Sequence, residues 1–369
     1  MNTLKNIGLV ALSLLVLILL LEFLIFKFIF LPAEIPRLSQ TSLGQTLTYA
    51  PNQKGVWRIE NQVEAIYRIN NDGWNSFHSY YQKERTPNLQ RIAIIGDSYI
   101  EALQVDYDAS VAEKLEQLGR NREVYRFGIS GAPLSQYIHI YEKTVLQYKP
   151  DVVIISVVHN DFLESLYGKE TSVFSPAFAK WRLLSNGDYE VVPPQGYKRD
   201  WKSFIKGRNI YGYFVTRKHV NIGAIKNAVL ERMSRRSQRG QKFTSNIAIS
   251  DLDDPNFKRI IEVFALELNR VTSGEEIHPR LVIIMDGPRG NSSETCAKKK
   301  LIPRIAKLHN IMTETMVSSG IEFYDLWELF HYEECVNGLK LKIPSDGHWS
   351  EDAHRVVAKK LDMILESAQ

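Results

Sequence analysis

The chain has 369 residues, of which 44% are hydrophobic and 24% are charged, and its net charge is +4. These values are typical of a globular protein with one substantial core and exclude a disordered chain. The mild charge excludes a strong electrostatic footprint for nucleic acid, and two cysteines are too few for a disulfide scaffold or a cysteine-based zinc site.

The first predicted element is an apolar segment at 7–31, which only three polar or charged residues interrupt. Its 25 residues are enough to cross a bilayer core of about 30 Å at 1.5 Å per residue. No small-x-small cleavage site follows, so we expect a single-pass anchor, with a cleaved signal peptide as the alternative. Residues 1–6 with Lys5 are then cytoplasmic, and the rest of the chain is periplasmic, beyond the inner membrane. Glu22 is costly in lipid and indicates a partner in the membrane.

Two segments depart from a strand–helix pattern. Residues 32–88 carry scattered prolines, glycines and polar residues, which predicts a juxtamembrane extension with short strands. Residues 163–253 are rich in aromatic and basic residues, and the stretch 231–243 is strongly cationic. We expect a solvated surface insertion there; the alternative is a lid, or a dock for an anionic polymer or headgroup.

Strands and helices alternate in the remainder of the domain predicted at 89–369. The predicted strands are 91–96, 124–129, 151–158, 280–286 and 321–326, and the predicted helices are 109–118, 134–148, 255–272, 299–318 and 351–366. This alternation predicts an α/β fold, a doubly wound three-layer sandwich with a parallel sheet. In such folds, functional sites lie at the carboxyl ends of the strands.

Five polar or small residues stand where such a site is expected. Ser98, Gly131 and Asn160 follow the first three strands, and Asp346 and His348 lie in a loop that enters the last helix. A serine nucleophile needs a base, and the base needs an acceptor that fixes its tautomer. His348 can be the base and Asp346 the acceptor, since residues two apart in an extended segment point to one face. The backbone N–H groups of Ser98 and Gly131 and the amide of Asn160 can then stabilise an oxyanion.

Each of these residues also has a structural interpretation. Ser98 can cap the following helix, and Gly131 and Asn160 can simply form turns. His354 is a competing base, but its place inside the last helix favours a packing or surface role. His159 stays a candidate because it adjoins Asn160. Four separate strand-end signals in one α/β pattern favour the catalytic interpretation.

The motifs around these residues resemble those of the SGNH (GDSL-type) hydrolases. "GDSY" resembles the first block and supplies Ser98, "FGISGAP" the second and supplies Gly131, and "VVHND" the third and supplies Asn160. "SDGHW" resembles the fifth block and supplies His348. Arg126 stands where many members have asparagine. The resemblance covers roughly 89–162 and 280–366 and implies an SGNH, flavodoxin-like fold.

The fifth block departs from the pattern of many esterases in the family, which have aspartate three residues before the histidine. Ser345 occupies that position here, and the sequence Asp346-x-His348-Trp349 looks more like the polysaccharide O-acetylation branch of the superfamily. The departure leaves the choice between hydrolase and transferase open.

The resemblance implies acyl transfer through an acyl-serine, without a metal or another cofactor. We expect an esterase that acts on acylated envelope glycans or related acyl esters. The first alternative is an O-acetyltransferase of an envelope polysaccharide, with a membrane acyltransferase as a partner. The second is a catalytically inactive glycan-binding module. The insertion offers four aromatic residues for a sugar groove, although they are equally good core residues: Trp181, Tyr189, Tyr197 and Trp201.

The two cysteines remain ambiguous. Cys296 and Cys335 can pair in an oxidising compartment and close a loop over the helix at 299–318. Two unpaired thiols are an equal alternative, because a bridge needs Cα atoms within roughly 7 Å.

Overall fold

The computed structural model describes residues 2–119, 121–169, 175–218, 220, 256–274, 278–290, 296 and 303–367. The predicted cationic stretch 231–243 lies outside the described residues, as does the start of the helix predicted at 299–318.

The central sheet has five parallel strands in the order β4-β3-β5-β8-β9. In chain order, the described strands are β1 (Gln53–Ile59), β2 (Val63–Ile69), β3 (Gln90–Gly96), β4 (Arg122–Gly128), β5 (Val152–Val157), β6 (Lys180–Leu183), β7 (Tyr189–Val192), β8 (Arg280–Met285) and β9 (Glu322–Asp325). The sheet order is that of flavodoxin-like folds, in which the chain reverses its direction of growth between β3 and β5. All five predicted sheet strands are confirmed.

Helices cover both faces of this sheet. The described helices are α1 (Asn2–Leu20, continued by a wider turn Leu21–Ile29), α2 (Ser98–Glu101), α3 (Val111–Leu118), α4 (Leu134–Ile140, continued to Tyr148), α5 (Trp201–Lys206), α6 (Asn209–Tyr211, continued to Arg217), α7 (Asn256–Ser273), α8 (Pro303–Ser318), α9 (Trp327–Cys335) and α10 (Glu351–Glu366). The sequence pattern did not predict α2, α5, α6 or α9.

The strands are apolar throughout because both faces are buried. Ile92 and Ile94 of β3 pack with α3, α9 and α10, whereas Ala93 and Ile95 pack with α4, α7 and α8. Side chains alternate between the faces of a strand, so a continuous apolar run is required here. The predicted three-layer α/β sandwich is thus the observed fold.

The segment 32–88 packs into the same core as the sheet domain. Its strands β1 and β2 form an antiparallel hairpin, and Tyr67, Trp74 and Tyr81 belong to the buried cluster that lies under α4. The ring of Trp74 lies 5.3 Å from that of Phe127 in β4. The extension is therefore continuous with the sheet domain in packing.

Part of the insertion is also core. Strands β6 and β7 pair as an antiparallel hairpin, and Phe178, Ala179 and Trp181 are fully buried. The expectation of a solvated insertion is wrong for this part, because its apolar side chains complete the cluster over α4 and α7.

Among the described residues, one helix, Lys5–Ile29, is long and apolar enough to cross a bilayer by its length and composition. At the other end of the chain, Cys296 and Cys335 form a disulfide with their Cα atoms 5.5 Å apart. The paired alternative for the cysteines is therefore the observed one, and the bridge ties the segment after β8 to α9.

Candidate active site

Ser98 lies at the carboxyl end of strand β3, which is flanked by β4 and β5 in the sheet. The strand ends at Gly96, and Asp97 caps the short helix α2 by accepting a hydrogen bond of 2.9 Å from the backbone N–H of Tyr99. Ser98 is the first residue of that helix. Because β3 lies next to β5 at the reversal point of the sheet, its carboxyl end opens into the crevice where such folds bind ligands.

Ser98 contacts a histidine that is 250 residues away in the chain. Nε2 of His348 lies 2.8 Å from Oγ of Ser98, and Nδ1 of His348 lies 2.8 Å from Oδ2 of Asp346. This second contact has ion-pair distance, but its geometry falls short of a well-aligned hydrogen bond. The three side chains predicted to form a triad are therefore brought together in the order serine, histidine, aspartate.

The loop that carries Asp346 and His348 is a turn, so the expectation of an extended segment is wrong. The N–H groups of Asp346 and Gly347 both donate to the carbonyl oxygen of Ile343, at 3.2 and 2.8 Å. Gly347 has a φ of +91°, which favours glycine. The reversal at Gly347 lets the two side chains meet.

Ser345 points elsewhere. Its N–H and Oγ both donate to Oε1 of Gln62, at 3.1 and 2.9 Å. Gln62 lies between β1 and β2. The carboxylate beside His348 is accordingly that of Asp346. Ser345, three residues before the histidine, instead binds the turn of the β1–β2 hairpin through Gln62.

The charges around His348 favour its protonated form. Burial lowers the pKa of His348, but the contact with Asp346 and the nearby carboxyls of Asp97 and Glu101 raise it above the usual value of 6.5. Asp97 is itself buried, and burial raises its pKa to about 6. Oγ of Ser98 also lies 3.3 Å from Oδ2 of Asp97, so this carboxyl borders the same hydroxyl.

The two remaining predicted residues lie in the loops after the strands that flank β3. Gly131 follows β4 and has a φ of +74°, a conformation in which glycine is favoured. Asn160 follows β5 and has an exposed side chain. The N–H of Leu134 donates to the carbonyl oxygen of Asp161 at 3.3 Å. The two loops thus touch at the carboxyl edge of the sheet.

Glu101 holds the loop after β4, a role that the sequence patterns did not reveal. Its carboxylate accepts the N–H of Ser130 at 3.0 Å, and it also accepts the hydroxyls of Ser130 and Tyr49. Burial raises the pKa of Glu101. Because Gly131 directly follows Ser130, this carboxyl fixes the backbone beside a predicted oxyanion donor.

Asp286 and Arg289 hold the loop that carries His348, and the sequence patterns did not predict this role either. Oδ1 of Asp286 accepts the indole N–H of Trp349 at 2.9 Å and pairs with Arg289. Arg289 also donates to the carbonyl oxygen of Gly347 at 3.1 Å and to the hydroxyl of Tyr99 at 2.9 Å. Asp286 directly follows β8. A polar residue at the end of this apolar strand is the sequence feature that could have indicated its place in the site.

His159 belongs to a second chain of hydrogen-bonded groups. Its Nε2 lies 2.9 Å from Nε2 of His309, whose Nδ1 lies 2.5 Å from Oδ2 of Asp325 at the end of β9. Burial lowers the pKa of His159 to about 4, which keeps this imidazole neutral. His159, the candidate next to Asn160, therefore has hydrogen-bonding partners outside the triad.

His354 is the packing residue that its helical position predicts. Its Nδ1 accepts the N–H of Val111 at 3.2 Å, and burial lowers its pKa well below the usual value. Arg126 is likewise structural, since its fully buried guanidinium bonds to the carbonyl oxygen of Tyr107 at 2.8 Å and pairs with Glu113. Within the described ranges, no group of three or more histidine, cysteine or acidic residues is placed to hold a metal ion.

No family model and no curated protein matches the chain. Solved structures to which it is similar include a lipase/acylhydrolase from Enterococcus faecalis, 13% identical over 76% of this chain and 97% of that one, with a TM-score of 0.37. A carbohydrate acetylesterase from Sinorhizobium meliloti is 8% identical over 76% and 100%, with a TM-score of 0.38. An aryl esterase from M. smegmatis is 12% identical over 75% and 99%, with a TM-score of 0.38. Identities and TM-scores this low carry no argument about function.

Proposed function

We propose that the chain is a serine-dependent acyl-ester hydrolase that works through an acyl-serine intermediate. The observation that carries this proposal is the contact between Oγ of Ser98 and Nε2 of His348 at 2.8 Å, with Asp346 behind the imidazole. The contact lies at the carboxyl edge of a parallel sheet, beside its reversal point, where α/β folds place their ligands.

In this mechanism Nε2 of His348 takes the proton of Ser98 while Oγ attacks the ester carbonyl. Asp346 holds the imidazole with Nδ1 protonated and stabilises the imidazolium that forms. The imidazolium then gives its proton to the leaving alcohol, and a water activated by His348 releases the acid from the serine. The N–H groups of Ser98 and Gly131 and the side-chain amide of Asn160 are the proposed donors to the oxyanion.

We place this site outside the cytoplasm, next to the inner membrane. The apolar helix Lys5–Ile29 supports an anchor, and the bond between Cys296 and Cys335 suits an oxidising compartment such as the periplasm. An anchored site has a high effective concentration near membrane-linked substrates. Acylated envelope glycans or related acyl esters are therefore the proposed substrates.

The test is hydrolysis of an aryl acetate by the purified full chain, together with labelling by a fluorophosphonate. Ser98→Ala should abolish both signals, whereas Ser345→Ala should keep both, since Ser345 contacts Gln62 and not the triad. A folded Ser98→Ala protein with undiminished turnover would disprove the nucleophile. Absence of labelling in the unaltered chain would instead favour an inactive glycan-binding module.

A second candidate is an O-acetyltransferase of an envelope polysaccharide. The contacts of Ser345 with Gln62 leave Asp346 as the partner of His348, and this Asp-x-His arrangement is the one that resembles the acetylation branch. A membrane acyltransferase would then supply the acyl group. Incubation with an acyl donor and candidate oligosaccharides distinguishes the two. Acylated sugar that depends on Ser98 favours transfer, and free acid with every acceptor favours hydrolysis.

A further inference from the structure

Glu22 carries a carboxylate in the last third of the apolar helix Lys5–Ile29, yet it is only 6% exposed. The N–H of Asn209 donates to its Oε1 at 2.6 Å, and the N–H of Ile210 donates to its Oε2 at 3.0 Å. The side-chain amide of Asn209 also donates to the carbonyl oxygen of Glu22 at 2.9 Å. The partner expected for Glu22 in the membrane therefore comes from the chain itself, 187 residues further on.

The partner segment, residues 201–217 (α5 and the extended α6), is called the clamp below. The clamp also contacts the apolar helix nearer its end, where the ring centroid of Tyr213 lies 5.4 Å from that of Phe26 and 5.1 Å from that of Phe30. Arg217 donates to the carbonyl oxygens of Phe30 and Leu31, the two residues that directly follow the end of the helix at Ile29. The clamp thus contacts the last third of the helix.

The clamp also has an apolar side that the described residues leave uncovered. Trp201 and Phe204 are 69% and 61% exposed, and Ile205 and Phe214 are exposed as well. The guanidinium of Arg208 lies 4.2 Å from the ring centroid of Phe204. Aromatic residues beside cations are typical of segments that lie at the boundary between headgroups and acyl chains.

We propose that the clamp lies in the outer interface of the bilayer that the apolar helix crosses, with Trp201, Phe204 and Ile205 inserted among lipids. The proposal rests on the membrane anchoring in the proposed function. Glu22 precedes Ile29 by seven residues, so its carboxylate lies about 10 Å below the end of the helix at 1.5 Å per residue. A clamp that reaches this carboxylate must enter the membrane boundary. The occupant of its apolar side is the lipid bilayer, because the exposed Phe214 of the clamp packs against Phe26 of the apolar helix, with ring centroids 5.4 Å apart.

These hydrogen bonds lower the free-energy cost of a charged residue in the membrane-spanning helix. Two backbone N–H groups and the partial positive charge of a helix start face the carboxylate of Glu22, so this carboxylate is hydrogen-bonded where it lies in the bilayer. Strand β1 holds the chain just beyond Leu31 as well, since its Arg58 donates to the carbonyl oxygen of Pro32 at 2.8 Å. The sheet domain is thereby fixed close to the bilayer surface.

The experiment uses the full chain in vesicles that contain a lipid with a nitroxide quencher near its headgroup. A bimane fluorophore is attached to a cysteine introduced as Trp201→Cys, or as Phe204→Cys. Leu24→Cys, in the apolar helix, is the embedded reference. Val317→Cys on α8, where the valine is 65% exposed, is the aqueous reference. We expect quenching at 201 and 204 at least half as strong as at 24, and none at 317.

Quenching at 24 without quenching at 201 and 204 would overturn the clamp proposal and leave the anchor intact. No quenching at any of the positions would overturn both. Aryl acetate hydrolysis by the same labelled proteins reports on the catalytic proposal separately. Quenching at 201 and 204 in a protein without that activity would support the clamp and contradict the esterase.

Discussion

The guanidinium of Arg289 donates a hydrogen bond of 3.1 Å to the carbonyl oxygen of Gly347. Gly347 stands between Asp346 and His348, so this bond fixes the turn that presents the imidazole to Ser98. The ring of Tyr99 lies 4.9 Å from that of His348 and receives another bond from Arg289 through its hydroxyl. One buried cation thus positions the loop that carries His348 from two sides.

Arg289→Met should lower kcat for ester hydrolysis about 10²-fold, the effect expected when a catalytic group is misplaced by roughly 1 Å. It should also lower stability by about 3–5 kcal/mol, because Asp286 keeps a buried charge without its partner. Chemical denaturation and steady-state kinetics measure the two effects.

The double variant Asp286→Asn with Arg289→Met separates the effect on kcat from the effect on stability. It removes both charges, so most of the stability should return, while the rate stays low because the bond to Gly347 is still missing. Recovery of the rate together with the stability would show that Arg289 acts only through folding. Arg355→Ala, which removes an exposed pair with Asp352, is the control and should change neither quantity.

The rate should depend on pH through His348. The base must be neutral, so kcat/KM is full above its pKa and is lost as the pH falls through it. Because the surrounding carboxyls raise this pKa above 6.5, the acidic limb should lie above pH 6.5. Asp346→Asn should move the limb to lower pH and also reduce the maximal rate. Ser345→Ala should leave the limb in place, and an Asp346→Asn profile with an unmoved limb would contradict the pairing.

Asn160→Ala should reduce kcat about 10²–10³-fold, or about 2.7–4 kcal/mol of transition-state stabilisation, if its amide serves the oxyanion. KM should change little, since the developing charge exists only in the transition state. Stability should be unaffected because the side chain is exposed. The matched control is Asn337→Ala, whose side chain bonds to Glu333 on the surface. A loss confined to KM would assign Asn160 to ground-state binding.

Reduction of the bond between Cys296 and Cys335 should destabilise the fold. For a sequence separation of 39 residues, the chain-entropy model gives about 4 kcal/mol. Thermal unfolding with and without a reductant measures the difference. The variant Cys296→Ser with Cys335→Ser should resemble the reduced protein and ignore the reductant. An unchanged melting temperature on reduction would contradict the prediction.

The sequence predicted those features that depend on local patterns. The runs at 91–96 and 151–158 are apolar because their strands are buried on both faces, and this property is visible without a partner. Ser98 and His348 stand in motifs that mark strand ends. The contacts of Arg289 with Gly347 and of Glu22 with Asn209 were not predictable, because each depends on which distant loops become neighbours. Trp181 shows the same limit, since composition alone does not distinguish a core indole from an exposed one.

The hydroxyl of Tyr49 bonds to the carboxylate of Glu101, and Glu101 in turn holds Ser130. The part of the chain that supports Ser130 therefore begins well before β3, and it includes Tyr49. A protease that cut the chain just after the apolar helix would keep Tyr49 and Glu101 in one fragment. A cut near residue 85 would instead separate Tyr49 from the fragment that retains Ser98 and would leave Glu101 without one of its donors.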